Sequence, residues 1–530
     1  MQASSHLLIL MSNGKIVALS LCAFCLLVYL AWFVWPVVAF IAFVPFLLII
    51  SMKARPVKRV LYLGALFFLW NLVATYWLFQ INFIKGSLVI LVNTFLMLGA
   101  LSIGLWFKSL LPAGKWGGYG LLLITWLSFE HLHYTWNLSW PWLTIGNVFS
   151  RWPALVQWYA VTGTLGGTAW VLIINYLSFQ LLFRKKDLAS PQALFPYRLV
   201  LVITVPIALS LYVYLQPSHN TSTTYRTGIV HTNYHDKSVV TQMDKITELK
   251  QQLSSGLDSS VNMVVIPELF LDEIFSKSFY TSPLYTTLKS LTVQHPGLKI
   301  VTGATLIEET LDGNILYSAF SQNVRVKKYN ASILVDSSYH IPVKEKKILI
   351  PFEERMPPQL SFIPFDSENY SFDENNDDSF LLDSTSGFLN LICYEAVNSL
   401  FVAKQIKCTD RFIVMLASEA FFRGVPAGRE QYVNICRLRA IETGKYLIKA
   451  SNEGISAVID DKGNLVRRCS SIAYKLILAD VPGNSRYTFF SRCGDLIGEG
   501  AILLLLAFVL LALFSRLKRN GRPVLLRGSL

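Results

Sequence analysis

The long apolar segments of this chain constrain its fold more than any other feature. Residues 16–50 contain no charged side chain. As one helix they would extend about 52 Å at a rise of about 1.5 Å per residue, whereas the hydrocarbon core of a bilayer is about 30 Å thick. We therefore predict two membrane passes here, separated near Trp35 and Pro36, because proline interrupts a helix.

Further apolar segments continue this pattern. They occupy residues 60–80, 87–108, 118–134, 155–183, 199–215 and 497–515. The chain has 530 residues, 53% hydrophobic and 15% charged, which is too apolar for an ordinary soluble protein. We predict a seven-span membrane domain at 1–215, a polar domain at 216–495, and an eighth span with a basic tail at 496–530. No small-residue cleavage site follows the first segment, so we expect an anchor rather than a removed signal peptide.

Basic residues are concentrated in alternate loops, and this predicts the orientation. They are Lys53, Arg55, Lys58 and Arg59, then Arg184, Lys185, Lys186 and Arg198, and in the tail Arg516, Lys518, Arg519, Arg522 and Arg527. The intervening loops hold only Lys85 and Arg151. The positive-inside rule then places both termini in the cytoplasm and residues 216–495 outside. The net charge of +13 is thus explained by topology, and we expect no nucleic-acid partner.

The polar domain alternates strand-like and helix-like segments. The strand-like runs are Thr227–His231, Met263–Pro267, Lys299–Gly303, Ser332–Val335, Leu389–Cys393, Phe412–Leu416, Tyr446–Ala450 and Ser456–Ile459. Ser238–Leu253 and Arg429–Thr443 are helix-like. This mixture predicts an α/β domain whose sheets are covered by helices. The acidic segment 366–379 is predicted to be a solvated loop.

Three residues at the ends or edges of apolar segments are the parts of a thiol acyl-transfer site. Glu268 and Cys393 end strand-like runs, and Lys346 stands just before Pro351. A thiol attacks a carbonyl as the thiolate, a carboxylate can take its proton, and an ammonium stabilises both the thiolate and the oxyanion. Each residue alone is more often structural, so the hypothesis depends on the set. Cys22 and Cys25 form a CxxC pair, but inside an apolar run, where we expect packing, and no second such pair matches it. The histidines of the polar domain have no metal-ligand spacing, and we expect no metal and no cofactor.

The contexts of these residues resemble known families. Residues 263–268, 344–357 and 391–395 resemble the active-site segments of the nitrilase superfamily, carbon–nitrogen hydrolases with an αββα sandwich. The segments Trp140–Leu143, Arg439–Glu442 and Ser451–Ile455 are similar to those of the apolipoprotein N-acyltransferase family. This resemblance implies a multi-span α-helical membrane protein with an inserted nitrilase-like domain on the periplasmic side of the bacterial inner membrane.

The resemblance also implies the roles of individual residues. Glu268 would be the general base, Lys346 the oxyanion and thiolate stabiliser, and Cys393 the nucleophile. Supporting positions would be Glu354, Glu395, Tyr394 beside the thiol, and Asn233 in the first strand of the domain. The implied reaction moves an acyl chain from a phospholipid through a Cys393 thioester to a diacylglyceryl-modified apolipoprotein. We expect the protein to be a monomer.

Some positions depart from the family pattern, and two other functions stay open. Ser418–Phe421 replaces an Asn-Asp-x-Trp segment, Glu353 replaces a small residue, and Lys344 replaces a tyrosine. These changes bear on lid packing and lipid preference. One alternative is a membrane-anchored exported amidase or nitrilase that uses water. The other is an inert scaffold or transporter, whose spans should carry functional charges.

Aromatic residues between the predicted spans suggest contact with the bilayer surface. Trp140, Trp142 and Phe149 lie in one such segment. Tryptophan is enriched at membrane interfaces, so we expect an interfacial aromatic belt here or a contribution to lipid entry.

Overall fold

The computed structural model describes residues 13–110, 117–183, 195–218, 220–234, 241–318, 321–338, 340–362 and 367–520. The predicted topology signals at residues 184–186, Arg522 and Arg527 lie outside these ranges. The first part of the chain is helical. Its helices are α1 (Asn13–Phe33), α2 (Ala39–Ala42), α3 (Val44–Ser51), α4 (Pro56–Ala74), α5 (Leu78–Ile81), α6 (Phe83–Leu110), α7 (Gly117–Leu132), α8 (Tyr159–Phe183) and α9 (Phe195–Leu215).

Several of these helices have the length and apolar composition of membrane spans. Among the described residues, five qualify: Asn13–Phe33, Pro56–Ala74, Phe83–Ser109, Tyr159–Phe183 and Pro196–Leu215. Pro36–Ser51 and Leu496–Ala512 are shorter apolar helices. The helical path breaks after Phe33 and resumes in a 3-10 turn at Pro36–Val38. The multi-pass helical architecture is therefore present, while the count of seven spans plus one stays a prediction.

The predicted aromatic belt is wrong for two of its three residues. Trp142 and Phe149 are buried, and Phe149 packs against the rings of Phe40 and Trp170 with centroid distances of 5.8 and 5.2 Å. This segment packs into the protein interior because burial of large apolar side chains, away from water and from the polar membrane interface, stabilises the fold. Trp140 is the half-buried member of the group.

The polar domain contains two sheets. Its strands are β1 (Asn220–His231), β2 (Met263–Val265), β3 (Leu271–Phe275), β4 (Lys299–Ser318), β5 (Ser321–Val335), β6 (Val343–Glu345), β7 (Ser379–Leu381), β8 (Gly387–Ile392), β9 (Asp410–Ser418), β10 (Leu447–Asn452), β11 (Ser456–Ile459), β12 (Leu465–Cys469) and β13 (Lys475–Asn484). One sheet has the order β13-β1-β2-β4-β5-β6 with β3 beside β4, and the other has the order β12-β11-β10-β9-β8-β7.

Alternation along the strands explains how the layers form. In β1, Ile229 lies in the core that contains Phe388 and Val414 of the other sheet, whereas the next residue, Val230, lies under helices. Successive side chains of a strand point to opposite faces, so each sheet buries two apolar faces. Helices α10 (Gln242–Gly256) and α11 (Pro283–Gln294) cover the first sheet. Helices α12 (Ser399–Gln405) and α13 (Pro426–Thr443) cover the second, and the predicted αββα sandwich is confirmed.

The second helix layer also joins the domain to the membrane part. Trp77 and Trp142 share one apolar core with Tyr432 and Val433 of α13 and with Cys393. The chain then continues through α14 (Phe489–Cys493) to α15 (Leu496–Asn520). The sandwich and the membrane helices therefore have a common core on the side where Cys393 lies.

A buried ion pair strengthens this junction. Arg439 and Glu442 of α13 pair at 2.8 Å, and both contact Thr164 of α8. Thr164 follows Gly163, whose φ of 63° interrupts α8. An added Cβ at Gly163 would lie 2.2 Å from the ring of Phe490, so this position requires glycine for space as well as for conformation.

Candidate active site

The predicted triad is assembled by three loops at the ends of strands. Glu268 follows β2 of the first sheet, Lys346 follows β6 of the same sheet, and Cys393 follows β8 of the second sheet. All three side chains are buried, with 4%, 1% and 7% exposure. Because β2 and β8 belong to different sheets, the site forms where the two sheets face each other.

Each of these loops contains a non-glycine residue with positive φ. The values are 53° at Leu269, 68° at Phe352 and 47° at Cys393 itself. This left-handed conformation costs a side-chain-bearing residue about 1 kcal/mol and persists only where the surroundings hold it. Such strain is concentrated at functional sites, and its presence in all three segments supports the assignment.

Lys346 is the centre of the charge arrangement. Its Nζ donates to Glu268 Oε1 at 2.9 Å and to Glu354 Oε1 at 2.7 Å. Burial lowers the pKa of Lys346, but the negative charge of Cys393 when it is ionised, with those of Glu268 and Glu354, holds that pKa well above its usual value. The lysine is therefore a fixed cation that faces the sulfur and both carboxylates.

The sulfur is protonated at rest. Burial raises the pKa of Cys393 well above its usual value, and the Glu268 carboxylate raises it further, while Lys346 opposes them. A thiol in such surroundings needs a base close by at the moment of attack. Glu268 therefore disfavours the Cys393 thiolate, whereas Lys346 favours it.

Glu268 is oriented by a residue that the sequence reasoning missed. The amide of Asn330, on β5, donates to Glu268 Oε1 at 2.7 Å and to Glu354 Oε1 at 3.2 Å. The backbone N–H of Ser418 donates to Glu268 Oε2 at 2.7 Å. Asparagine is disfavoured within strands, so its place among apolar residues of β5 was the available signal.

Glu395 fixes the loop that carries the nucleophile. Its carboxylate accepts hydrogen bonds from the backbone N–H of Ile392 at 2.7 Å and of Lys347 at 2.8 Å, and it pairs with buried Lys344. Asp378 lies 3.4 Å from Lys344 and 2.7 Å from Lys347. The prediction of a solvated acidic loop is therefore wrong for Asp378, because buried lysines need counter-charges.

Replacement of Glu395 by glutamine is expected to destabilise the protein by about 3 kcal/mol, since it leaves Lys344 buried without its closest counter-charge. The measurement is the thermal unfolding midpoint of the purified protein in detergent. The double variant Lys344→Met/Glu395→Gln removes both charges and should recover part of the loss. Equal midpoints for the wild type and Glu395→Gln would contradict this interpretation.

The other two predicted supporting residues lie in different places. The Tyr394 hydroxyl donates to the Ser139 carbonyl at 3.2 Å, and its ring stacks on Trp140, so this side chain connects the nucleophile loop to the membrane part. Asn233 is half-buried just after the end of β1 at His231, rather than within the strand.

The departures from the family pattern have structural partners. Glu419 is buried and pairs with Lys449, and it also accepts from Ser451 Oγ at 2.8 Å. An added Cβ at Gly454 would lie 2.1 Å from the Glu419 carboxyl carbon, so glycine is needed there. Glu353, in contrast, lies at the surface and pairs with Lys85 at the start of α6, at 2.7 Å.

Comparisons with known proteins show what this chain is similar to. Residues 22–177 match the family described as the apolipoprotein N-acyltransferase N-terminal domain, and residues 231–488 match the carbon-nitrogen hydrolase family. A protein of Chlorobaculum tepidum named apolipoprotein N-acyltransferase is 24% identical, over 83% of this chain and 86% of that protein. One of the same name from Pasteurella multocida is 24% identical, over 83% of this chain and 85% of that protein. The fold is also similar to the crystal structure of Saccharomyces cerevisiae Nit3, a member of the nitrilase superfamily. The similar region spans 49% of this chain and 91% of the Nit3 chain, with 15% sequence identity and a TM-score of 0.35.

Proposed function

The chain belongs to the apolipoprotein N-acyltransferase family, and from that membership we propose that Cys393 carries an acyl group from a membrane phospholipid to the lipidated N-terminal cysteine of an apolipoprotein. The protein is a multi-pass bacterial membrane enzyme that acylates lipoproteins. The observation that supports the thioester route most directly is the buried contact of Lys346 with Glu268, beside the thiol.

The first half-reaction forms the acyl-enzyme. Glu268 accepts the proton of the Cys393 thiol as the sulfur attacks the ester carbonyl of the phospholipid. Lys346 stabilises the oxyanion of the tetrahedral intermediate. The intermediate then expels the lysophospholipid alkoxide, which takes the proton from Glu268. A thioester to Cys393 and a free lysophospholipid are the products.

The second half-reaction moves the acyl group to nitrogen. The α-amine of the lipidated cysteine attacks the thioester carbonyl and transfers its proton to Glu268. Collapse of the intermediate breaks the carbon–sulfur bond, forms the amide, and returns the proton to the sulfur. Two half-reactions through one covalent intermediate predict ping-pong kinetics, and one chain supplies every group, so we propose that a monomer is active.

The position of the site against the membrane part favours lipid substrates. A small apolar recess lies between α6 and the loops of Trp140 and Phe352. A site that excludes water protects a thioester from hydrolysis. Both termini are proposed to be cytoplasmic and residues 216–495 periplasmic. Exposed Cys408 should then react with a membrane-impermeant maleimide in intact spheroplasts, and its protection until lysis would overturn this orientation.

The test of function uses purified full-length protein in detergent. It is incubated first with a phospholipid labelled in its acyl chain and then with a diacylglyceryl peptide. We expect a mass increase of one acyl group on Cys393, followed by its transfer to the peptide amine. Release of free fatty acid without any transfer to the amine would indicate the amidase-type hydrolase instead.

A further inference from the structure

Tyr432 lies where the membrane part meets the nucleophile. It is on α13 and is 2% exposed. Its ring stacks on Trp142 with a centroid distance of 5.8 Å and an interplanar angle of 20°, and it packs against Phe422 at 5.9 Å. The ammonium of Lys449 lies 5.1 Å from the ring centroid. Three neighbours therefore fix the ring, and the position of its hydroxyl is determined by them.

That hydroxyl is buried and has no hydrogen-bond partner among the described residues. It lies in the same apolar core as Cys393, and as a donor it lowers the pKa of the Cys393 thiol. A buried hydroxyl without a partner is costly, so such a group in a native structure calls for a functional explanation. Burial holds the pKa of Tyr432 well above its usual value, so the phenol keeps its proton. Towards an anionic sulfur it acts only as a donor.

We propose that Tyr432 is a catalytic residue whose hydroxyl donates a hydrogen bond to the Cys393 sulfur, both when the thiolate attacks and when it departs. This proposal rests on the proposed function. Glu268 takes and returns the proton in both half-reactions, and Tyr432 keeps its own proton throughout. The phenol thus supplies the stabilisation that a thiolate needs while no proton is bound to it.

The charge balance around the sulfur explains why a second donor is useful. The ionisable groups that act on the thiol are Glu268, Lys346, Glu354, Tyr394 and Tyr432. Lys346 is the cation among them, and it is shared with both carboxylates. A neutral donor adds stabilisation of the thiolate without another buried charge, which would need a counter-ion of its own.

Lys449 adds to the donor character of Tyr432, since its ammonium lies over the face of the ring. The charges of Cys393, Cys436 and Glu419 act the other way, because they raise the pKa of the phenol. A cation over the face of a ring is attracted by its π electrons and draws electron density from the phenol oxygen. The O–H group then becomes a better hydrogen-bond donor. Lys449 is held in this position by its ion pair with Glu419.

The membrane part holds this arrangement in place through the neighbouring residue, Gln431. Its side-chain carbonyl accepts from Trp77 Nε1 at 3.0 Å and from Trp142 Nε1 at 2.8 Å. Its amide donates to the Ala74 carbonyl, at the end of α4, at 2.9 Å. The indole that stacks on Tyr432 is therefore tied to the same turn of α13.

The test compares Tyr432→Phe with wild type in the alkylation of Cys393 by iodoacetamide, followed by mass spectrometry of the Cys393 peptide. Phenylalanine keeps the ring contacts and removes only the donor. The loss of a hydrogen bond to the charged form raises a thiol pKa, so the pH profile of alkylation should move to higher pH by about one unit. Labelling at neutral pH should then be about tenfold slower.

The chain offers a matched control in Tyr474. It is also buried, and its hydroxyl also has no hydrogen-bond partner among the described residues, but it lies in the core under α10 and α11. Tyr474→Phe should leave the alkylation profile of Cys393 unchanged. If the Tyr432→Phe profile coincides with those of Tyr474→Phe and the wild type, the proposal is overturned.

A second variant keeps the proposal testable if Tyr432→Phe does not fold. Introduction of 3,5-difluorotyrosine at position 432 retains the shape and makes the phenol a stronger donor. The alkylation profile should then shift to lower pH, and an unchanged profile would overturn the proposal. Alkylation needs neither phospholipid nor peptide, so it decides on Tyr432 even if the transfer assay contradicts the proposed function.

Discussion

Replacement of Cys393 by alanine is expected to abolish acyl-enzyme formation completely, and replacement by serine should reduce it by at least about a thousandfold. The reason is specific to this pocket. Burial already holds the thiol proton firmly, and Lys346 and the Tyr432 hydroxyl favour the anion. A serine hydroxyl is far less acidic than a thiol, so the same groups would leave it protonated. The measurement is intact mass after exposure to a labelled phospholipid.

Cys436 provides the control for this experiment. It is buried in α13, where burial raises its pKa to about 12, and its sulfur contacts Met415 at 3.6 Å. Cys436→Ala should therefore form the acyl-enzyme at the wild-type rate. Detection of a stable thioester on Cys408 or Cys436 in the Cys393→Ala protein would contradict the assignment of the nucleophile.

The second large effect is expected for Glu268→Gln, which should slow acyl-enzyme formation by about a thousandfold at neutral pH. Glutamine has nearly the same shape but cannot accept the thiol proton. The residual rate should then depend on proton removal by solvent and should rise steadily with pH. Single-turnover formation of the acyl-enzyme over a pH series measures this. Lys346→Met should give a loss of similar size, because the oxyanion and the thiolate lose their cation.

A surface glutamate of the same region is the control for charge alone. Glu353 lies next to Glu354 but pairs with Lys85 at the surface, and its side chain is 40% exposed. Glu353→Gln should keep the wild-type rate and pH profile. A pH profile of Glu268→Gln that matches that of Glu353→Gln would contradict the role of Glu268 as the base.

The layers of the domain could be predicted from the sequence because every second side chain of a strand points to the same face of the sheet. Ile229 and Val414 lie in the core between the sheets, whereas their neighbours Val230 and Met415 lie in cores on the helix-covered faces. A strand period of two produces this alternation without knowledge of the partner strands. The triad could be proposed for a similar reason, since each member ends or borders an apolar run. Local pattern was sufficient in both cases.

Contacts between distant segments could not be predicted in this way. Lys344 lies in a run of charges that is typical of a solvated surface, yet it is fully buried because Glu395 and Asp378 meet it in the fold. Asn330 and Tyr432 belong to the site because the fold brings β5 and α13 beside the loops of Glu268 and Cys393. These partners are far apart in the chain, and even the unusual place of Asn330 within a strand does not indicate which residues it contacts.

The apolar core shared by the sandwich and the membrane helices has a practical consequence for dissection of the enzyme. A truncated protein limited to residues 216–495 would lose Trp77 and Trp142, which share one apolar core with Tyr432 and Val433, and would leave apolar surface of that core exposed to solvent. Surface of this kind promotes self-association in water. Soluble expression of the excised domain is therefore an unsuitable route to its chemistry, and detergent or nanodisc preparations of the intact chain are required.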